Sequence, residues 1–459
     1  FMSVEEEAAQ LFQDLEDVPS FISRVHICGS YSTDPKAIRG IVAELKEMLR
    51  DTSTAAEVLQ SAAAITQSFQ GYKIFSQCKT IITKKTEKVL VSGSCEPIAI
   101  PVTQNEHNVN ELVDIYIDIK EKERQMGGKF EFQHRDHNGT RDVGFSLGFT
   151  HYNLHGALET LNGQFFCGMK EISLDTTYNK PFFGHPIFSG LTIQGNAFEE
   201  NREEQSSFKQ RTTKLNGMLE THNGHSLGYE AAFRDVKLKK GVDSQIVLDG
   251  GLSLKSSIIH KWKLDGRDDA ILPLEGSAIT ITNELAGLGG DTHFFKQQVD
   301  VQHHVPLTES GITANFFSKA GTLFPLWNKK TSVCDRFFLG GPLPLRGFKS
   351  NTVGPIHNYD RIGGEVFYSQ GAHITFPLPV IDPEILQLHV FTNWGSNVRW
   401  ESNFARTAAK LINSTRIASG LGFVWRSPIG RLEFNFTKPM RQQENDSTKA
   451  WDFSISASF

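Results

Sequence analysis

From about residue 125 onward, apolar and polar positions alternate along the chain. Val143, Phe145, Leu147 and Phe149 are separated by Gly144, Ser146, Gly148 and Thr150, and Leu432, Phe434 and Phe436 by Glu433, Asn435 and Thr437. The last stretch is the clearest: Trp451, Phe453, Ile455, Ala457 and Phe459 share one face, while Asp452, Ser454, Ser456 and Ser458 share the other. A period of two puts successive side chains on opposite faces of a strand. About sixteen such segments follow, each bounded by turn residues and near the length a tilted membrane strand needs. A water-soluble sandwich also alternates, but its inner face is a dry core, and charge and serine at every second position do not suit one. The pattern predicts a transmembrane β-barrel of about 16 antiparallel strands over residues 125–459.

The first part of the chain has a different rhythm. Residues 1–20 are acidic, with a short helical pattern at Ala8, Leu11, Phe12 and Leu15, and read as a mobile tail. An alternating strand (Phe21, Ser23, Val25, Ile27) precedes a helix that opens at Asp34 and Pro35, a cap followed by a first-turn proline. Its apolar face is Ile38, Ile41, Val42, Leu45, Met48 and Leu49, and a second helix runs from Ser53 to Phe69. Strands are predicted over 73–84 and 110–120, giving the order β-α-α-β-β within residues 21–124. One further departure, at 403–413, has Phe404, Ala408, Leu411 and Ile412 at helical spacing. It predicts a short helix between the thirteenth and fourteenth barrel strands, placed as a plug or cap for the barrel mouth.

Residues 335–365 fit neither rhythm. Pro342, Pro344 and Pro355 remove backbone donors, and Gly340, Gly341, Gly347, Gly354, Gly363 and Gly364 permit turns, so a long folded loop is predicted. Loops of this length inside compact domains are usually functional or disordered. Phe337, Phe338, Leu339, Leu345 and Phe348 give this one too much apolar surface for a solvated linker, and it is expected to be packed inside something.

Composition changes this picture little. Lysine and arginine total 47 against 52 acidic residues, a net charge of −5, which predicts no nucleic-acid partner. Mean hydropathy is slightly negative, as expected of a barrel whose lumen face is polar. No run of about 18 apolar residues occurs, which excludes a helical span and nothing more. Cys28, Cys78, Cys95, Cys167 and Cys334 lack metal-ligand spacing and read as shielded thiols, with a Cys78–Cys95 bridge as the alternative. The start of the chain has neither a charged-then-apolar leader nor an arginine-rich one, Glu5, Glu6 and Glu7 being the opposite. That favours a mitochondrial over a bacterial outer membrane.

Several apparent motifs carry no chemistry. Gly144-Phe145-Ser146-Leu147-Gly148 and Gly224-His225-Ser226-Leu227-Gly228 match the nucleophile-elbow pattern, but both serines lie in strand-like alternation rather than at a strand-to-helix turn. His134 with His137, His222 with His225, and His303 with His304 lack further ligands at metal spacing. Residues 341–350 lack a phosphate loop's Gly-Lys pair and the helix that follows it. No active site, metal or cofactor is assigned.

The loop also carries a resemblance. Phe338-Leu339-Gly340-Gly341-Pro342, Leu345-Arg346-Gly347-Phe348, Gly354-Pro355 and Gly363-Gly364-Glu365 resemble the barrel-inserted loop of the outer-membrane barrel-assembly superfamily (BamA-like), in particular its mitochondrial sorting-and-assembly branch. Residues 268–291, with Ile271-Leu272-Pro273, Asn283-Glu284-Leu285-Ala286-Gly287 and Gly289-Gly290-Asp291, are similar to the same branch. The resemblance covers nearly the whole chain, and residues 21–124 are similar to one polypeptide-transport-associated (POTRA) domain. It implies insertion and folding of β-barrel precursors in the mitochondrial outer membrane, with the POTRA domain in the intermembrane space. The implied partners are the precursors, accessory subunits of the sorting and assembly complex, an inner-membrane organising complex and the lipid bilayer. A translocation pore of the same superfamily and a passive metabolite channel are the competing readings.

For the loop, the resemblance implies that Arg346 enters the barrel and meets polar groups on its inner wall. If Leu388, Val390 and Thr392 face lipid, then His389, Phe391 and Asn393 face the lumen; if Val366 and Ile374 face lipid, Glu365, His373 and Thr375 face inward. Glu365 and Asn393 are therefore the expected partners of the guanidinium, with Glu365 as the anion. A lateral gate is expected where the first strand (Gly127, Gly128, Phe130, Phe132) meets the last (Trp451, Phe453, Ile455, Phe459).

Overall fold

The computed structural model describes residues 18–30, 33–45, 49, 52, 54–84, 95–99, 112–123, 125–137, 140–269, 272–308, 311–327, 329–342, 344–378, 385–427 and 430–456. The chain forms two compact units. One comprises Phe1–Gly128, Phe149–Gly163 and Thr177–Thr192, and the other Lys129–Gly148, Gln164–Thr176 and Ile193–Phe459.

The first unit is built on β1 (Phe21–Ser30), α1 (Pro35–Glu44), α2 (Ala55–Gly71), β2 (Phe75–Lys84), β3 (Cys95–Ala99) and β4 (Leu112–Glu121). The Asp34 side chain accepts from Lys36 N at 2.9 Å to cap α1, and Thr54 with Glu57 forms a capping box on α2. The strands order as β2-β4-β1-β3, with β1 and β4 parallel. Ile38, Ile41 and Val42 of α1 and Val58, Ile65 and Phe69 of α2 share one core with Val25, Ile27, Ile115 and Ile117 of the sheet. Leu158, from the turn 153–158, is buried in the same core, and that turn's Gly156 carbonyl accepts from Asp34 N at 2.7 Å.

Two expectations are corrected here. β3 adds a strand to the predicted order; it has five residues and contains Pro97, which an edge strand tolerates. Cys28 is disulfide-bonded and lies opposite Cys95 in the β1–β3 register, whereas Cys78 is a free thiol. A Cys78–Cys95 bridge does not form because β2 and β3 are opposite edges of the sheet, too far apart for one. The tail's helical pattern, residues 1–17, and Met48 lie outside the described residues.

The remaining strands form one antiparallel sheet of 16, and they neighbour one another in chain order. They are β5 (Met126–His137), β6 (Thr140–Tyr152), β7 (Thr160–Gly168), β8 (Glu171–Pro181), β9 (Phe188–Asn201), β10 (Phe208–Thr221), β11 (His225–Leu238) and β12 (Gly251–Asp265). Then come β13 (Gly276–Ala286), β14 (Phe294–Pro306), β15 (Thr313–Pro325), β18 (Val366–Pro377), β19 (Leu386–Val398), β20 (Arg416–Ser427), β21 (Gly430–Arg441) and β22 (Trp451–Ser456). Between β15 and β18 the long loop carries its own small hairpin, β16 (Ile356–His357) with β17 (Asp360–Arg361), which the sequence reading did not anticipate. Short helices α3 (Glu203–Ser206) and α4 (Ser244–Val247) sit in turns, and α5 (Phe404–Asn413) joins the thirteenth and fourteenth strands of the sheet.

Burial along these strands is inverted relative to a water-soluble protein. Tyr229 and Phe233 of β11 are exposed while Glu230 and Arg234 are buried; Phe434 and Phe436 of β21 are exposed while Glu433 and Asn435 are buried. Apolar outside and charged inside is the signature of a barrel whose outer face meets lipid. No helix among the described residues is long and apolar enough to cross a membrane.

Candidate functional site

The loop between β15 and β18 is stitched to the inner wall at two places. At its entry, Asp335 receives both terminal nitrogens of Arg234 (β11) at 2.7 and 3.0 Å, and its carbonyl accepts from Lys296 Nζ (β14) at 2.8 Å. Lys296 also lies 4.6 Å from the Phe337 ring centroid. Beside this pair, Lys255 (β12) bridges Glu230 (β11) and Glu284 (β13), each at 2.6 Å. Every charge in the group is buried or nearly so and has a polar partner, an opposite charge for all but Lys296, which has the Asp335 carbonyl and the Phe337 ring, as low-dielectric surroundings require.

The second stitch holds Arg346. Its Nη2 donates to Glu433 Oε2 at 2.8 Å and its Nε to the same oxygen at 3.3 Å. Arg431 donates to the other carboxylate oxygen at 2.7 Å, and Asn435 Nδ2 lies 3.2 Å from Oε2. The guanidinium carbon sits 5.1 Å from the Phe391 ring and 5.9 Å from that of Phe317. Arg346 is 4% exposed and Glu433 2%.

Apolar packing fixes the register of this stitch. Leu345 and Phe348 are fully buried in a cluster with Phe337, Leu339, Val353, Phe367 and Ala418. Gly347, at φ +87°, lies so close to β20 and β21 that an added Cβ would come within 2.6 Å of Thr437 Cγ2. Phe348 pairs with Thr448, and the Lys449 N–H reaches the Gly347 carbonyl at 2.9 Å, so the turn before β22 clasps the loop from the far side.

The expected guanidinium partners are corrected by this geometry. Glu365 accepts from Thr331 at 2.5 Å and from the Trp400 N–H at 3.0 Å, which ties the loop's exit to its entry rather than to Arg346. Asn393 touches the motif through its backbone: Nδ2 donates to the Arg346 carbonyl at 3.1 Å. The parity assigned to β19 matches the burial, with His389, Phe391 and Asn393 buried and Val390 exposed. On β18, Ile374 is exposed and Thr375 buried, but Val366, at the first position of the strand, is buried. Glu433 could have been found, since it is the only acidic residue in β18–β21 and sits at an inward position.

At the sheet's ends the environment is open. Phe130 and Phe132 of β5 are exposed, as are Trp451 and Phe453 of β22. A Cβ added at Gly127 or Gly128 meets nothing within 4 Å. β22 pairs with β21 over 431–436 and 451–456, which places Ile455 opposite Leu432; Phe459 lies outside the described residues. The two elbow-like serines sit inside β6 and β11, Ser146 accepting from Gln164 at 2.7 Å.

Comparison with known proteins agrees with this geometry. The sorting and assembly machinery component 50 homolog of Homo sapiens is 28% identical, over 97% of this chain and 91% of that protein. A SAM50-like protein of Schizosaccharomyces pombe is also 28% identical, over 95% of this chain and 90% of its own length. Among solved structures, BamA from Haemophilus ducreyi lacking POTRA domains 1–3 superposes with a TM-score of 0.70 at 17% identity, covering 96% of this chain and 85% of that one. Residues 153–459 match the Omp85 superfamily domain, and with a sixteen-stranded sheet and an inward-folded loop held at Arg346, the chain belongs to the Omp85 superfamily.

Proposed function

We propose that this protein inserts and folds β-barrel precursors in the mitochondrial outer membrane, using the seam between β5 and β22 as a lateral gate. The relatives named as sorting and assembly machinery components support the membrane and the class of client. The observation that carries the mechanism is the contrast between a loop clamped to β19–β21 through Arg346 and Glu433 and end strands that carry exposed aromatics and unpacked glycines.

The physics is an exchange of hydrogen bonds. An unpaired backbone group in lipid costs several kcal/mol, so a client strand entering the bilayer needs a partner edge. Gly127 and Gly128 contribute no side-chain contacts to the seam and weaken it. A client's terminal strand pairs with the freed edge of β5, its remaining strands add in turn, and the finished barrel separates. One set of bonds replaces another, with no nucleotide and no cofactor. The clamped loop keeps β20 and β21 in register while their neighbour β22 moves. The domain of residues 21–124 serves as the POTRA module in the intermembrane space, and accessory subunits of the sorting and assembly complex and an inner-membrane organising complex are its expected partners.

A cysteine pair locking β5 to β22 in reconstituted vesicles tests this. Insertion of a radiolabelled precursor is expected to stop when the lock is oxidised and to resume on reduction, and undiminished insertion through a locked seam would refute the gate. Conductance of the same vesicles separates this reading from a passive metabolite channel, which would conduct whether locked or not and insert nothing.

A further inference from the structure

The connection from β19 to β20 leaves the barrel mouth and folds down over the outside of the wall. Three contacts establish this. Trp400 packs at a tilt on Phe324, ring centroids 4.5 Å apart; the Thr415 hydroxyl meets Tyr368 Oη at 2.5 Å; and Ser414 meets Ser396 at 2.8 Å. Phe324, Tyr368 and Ser396 occupy the outward parity of β15, β18 and β19, whose inward positions are Leu323, Phe367 and Asn397. Ser396 is outward yet fully buried because this connection covers it. The expectation that α5 plugs the mouth is thereby corrected.

α5 is amphipathic, and only part of its apolar face is spent on the protein, Ala408 and Leu411 being half-buried. Phe404, Ala408, Leu411 and Ile412 line one stripe at the helical period, yet Phe404 is 77% and Ile412 66% exposed. The helix instead turns Thr407 inward, where its hydroxyl donates to the Asn403 carbonyl at 3.0 Å. Arg406 and Lys410 lie on the opposite, polar face of the helix. Their partners, Ser402 and Glu401, are themselves exposed, and such surface pairs are weak. Trp400, Tyr368 and Trp394, whose Nε1 donates to Gln370 at 2.8 Å, form an outward aromatic group at the same end of the strands. Tryptophan and tyrosine gather where acyl chains meet headgroups.

We infer that α5 is an interfacial membrane anchor. Its Phe404–Ile412 face enters the boundary between headgroups and acyl chains beside β15, β18 and β19, and Arg406 and Lys410 meet the phosphates of anionic lipids. The residues on either side of the helix, Trp400 and Thr415, sit on the lipid-facing wall at Phe324 and Tyr368, which is why lipid, rather than a protein surface, is the occupant. The anchor fixes the depth of the loop-bearing rim in the bilayer.

The test uses the full chain in phosphatidylcholine vesicles, with and without phosphatidylglycerol. An azide-bearing residue at 412 carries an environment-sensitive dye, and a second protein carries it at Tyr359, the fully exposed tip of the β16–β17 hairpin. Dye at 412 is expected to be quenched by headgroup-proximal brominated lipid and shielded from aqueous iodide, with the reverse at 359. R406Q/K410Q is expected to lower the docked fraction about fivefold per cation in anionic vesicles and to leave pure phosphatidylcholine unchanged. Because the dye is itself apolar, it is also placed at Ala405 with and without F404E/I412E; loss of lipid quenching in that variant supports the anchor. Iodide reaching 412 as readily as 359, or a dye at 412 shielded from both quenchers as under a protein partner, would overturn the inference. Docking of R406Q/K410Q equal to that of the unsubstituted protein in anionic vesicles would overturn its headgroup half.

Discussion

Glycine is used in opposite ways at the two working regions of the barrel. In the lumen, Gly347 and Gly364 exist because nothing larger fits: an added Cβ would come within 2.6 Å of Thr437 at the first and 1.9 Å of Asn397 at the second. At the start of β5, Gly127 and Gly128 face open space. The first pair creates close approach and the second withholds contact. A machine that must hold one part of its wall while releasing another needs both, and the difference teaches that rigidity here is local. Close contacts are concentrated where the loop is stitched to β11–β14 and to β18–β21, and the start of β5 has none at its two glycines.

The comparison breaks most easily at Arg346. Arg346→Ala leaves Glu433 buried with Arg431 as its remaining cation, and removing one member of such a pair costs about 3–5 kcal/mol. Thermal unfolding of the reconstituted protein should shift down, and precursor insertion should fall with it; a variant as stable and active as wild type would remove the clamp from the mechanism. Arg346→Lys keeps the charge but loses the fork, and is expected to fall between the two.

Gly347→Ala comes next. A side chain at φ +87° with a close neighbour in Thr437 costs about 1–3 kcal/mol. Protease sensitivity of the loop should rise while the sheet's circular dichroism stays unchanged.

A smaller, pH-dependent effect is expected at the loop's small hairpin. Burial pushes the Asp243 carboxyl up, but hydrogen bonds from His357, the Gln245 N–H and Asn358 outweigh it and hold the group below the usual carboxylate range. Its contribution is therefore complete above that range and is lost as pH falls through the depressed value. Hydrogen exchange of the hairpin should accelerate on acidification, and Asp243→Asn should flatten that dependence.

The smallest effect on stability belongs to Gly127→Ala and Gly128→Ala. Each should change stability by no more than about 1 kcal/mol, on the stabilising side, through the unfolded chain. Their larger consequence is kinetic: a firmer seam slows insertion, and unchanged insertion rates in the double variant would confine the role of these glycines to the turn.

Much of this was legible in the sequence because the barrel's rule is local. Two-residue alternation at Phe434 and Glu433, or at Val390 and His389, decides which face each side chain takes without reference to any neighbour. β3 was not legible, since five residues with a proline show no alternation. The position of α5 was not legible either, since a helical stripe does not say what it faces.

Alternation along the chain determined the strands, their facing and the need for a polar lumen, and the proline- and glycine-rich stretch determined that a loop must be tucked into it. Tertiary structure alone decided which carboxylate meets Arg346. Strand parity confines a side chain to a face, but the height at which a loop crosses the lumen is set by its two ends and by the packing of Leu345, Gly347 and Phe348 against β20 and β21. That height selected Glu433 over Glu365, because ion pairs form between groups brought within a few ångströms, and no one-dimensional pattern encodes that distance.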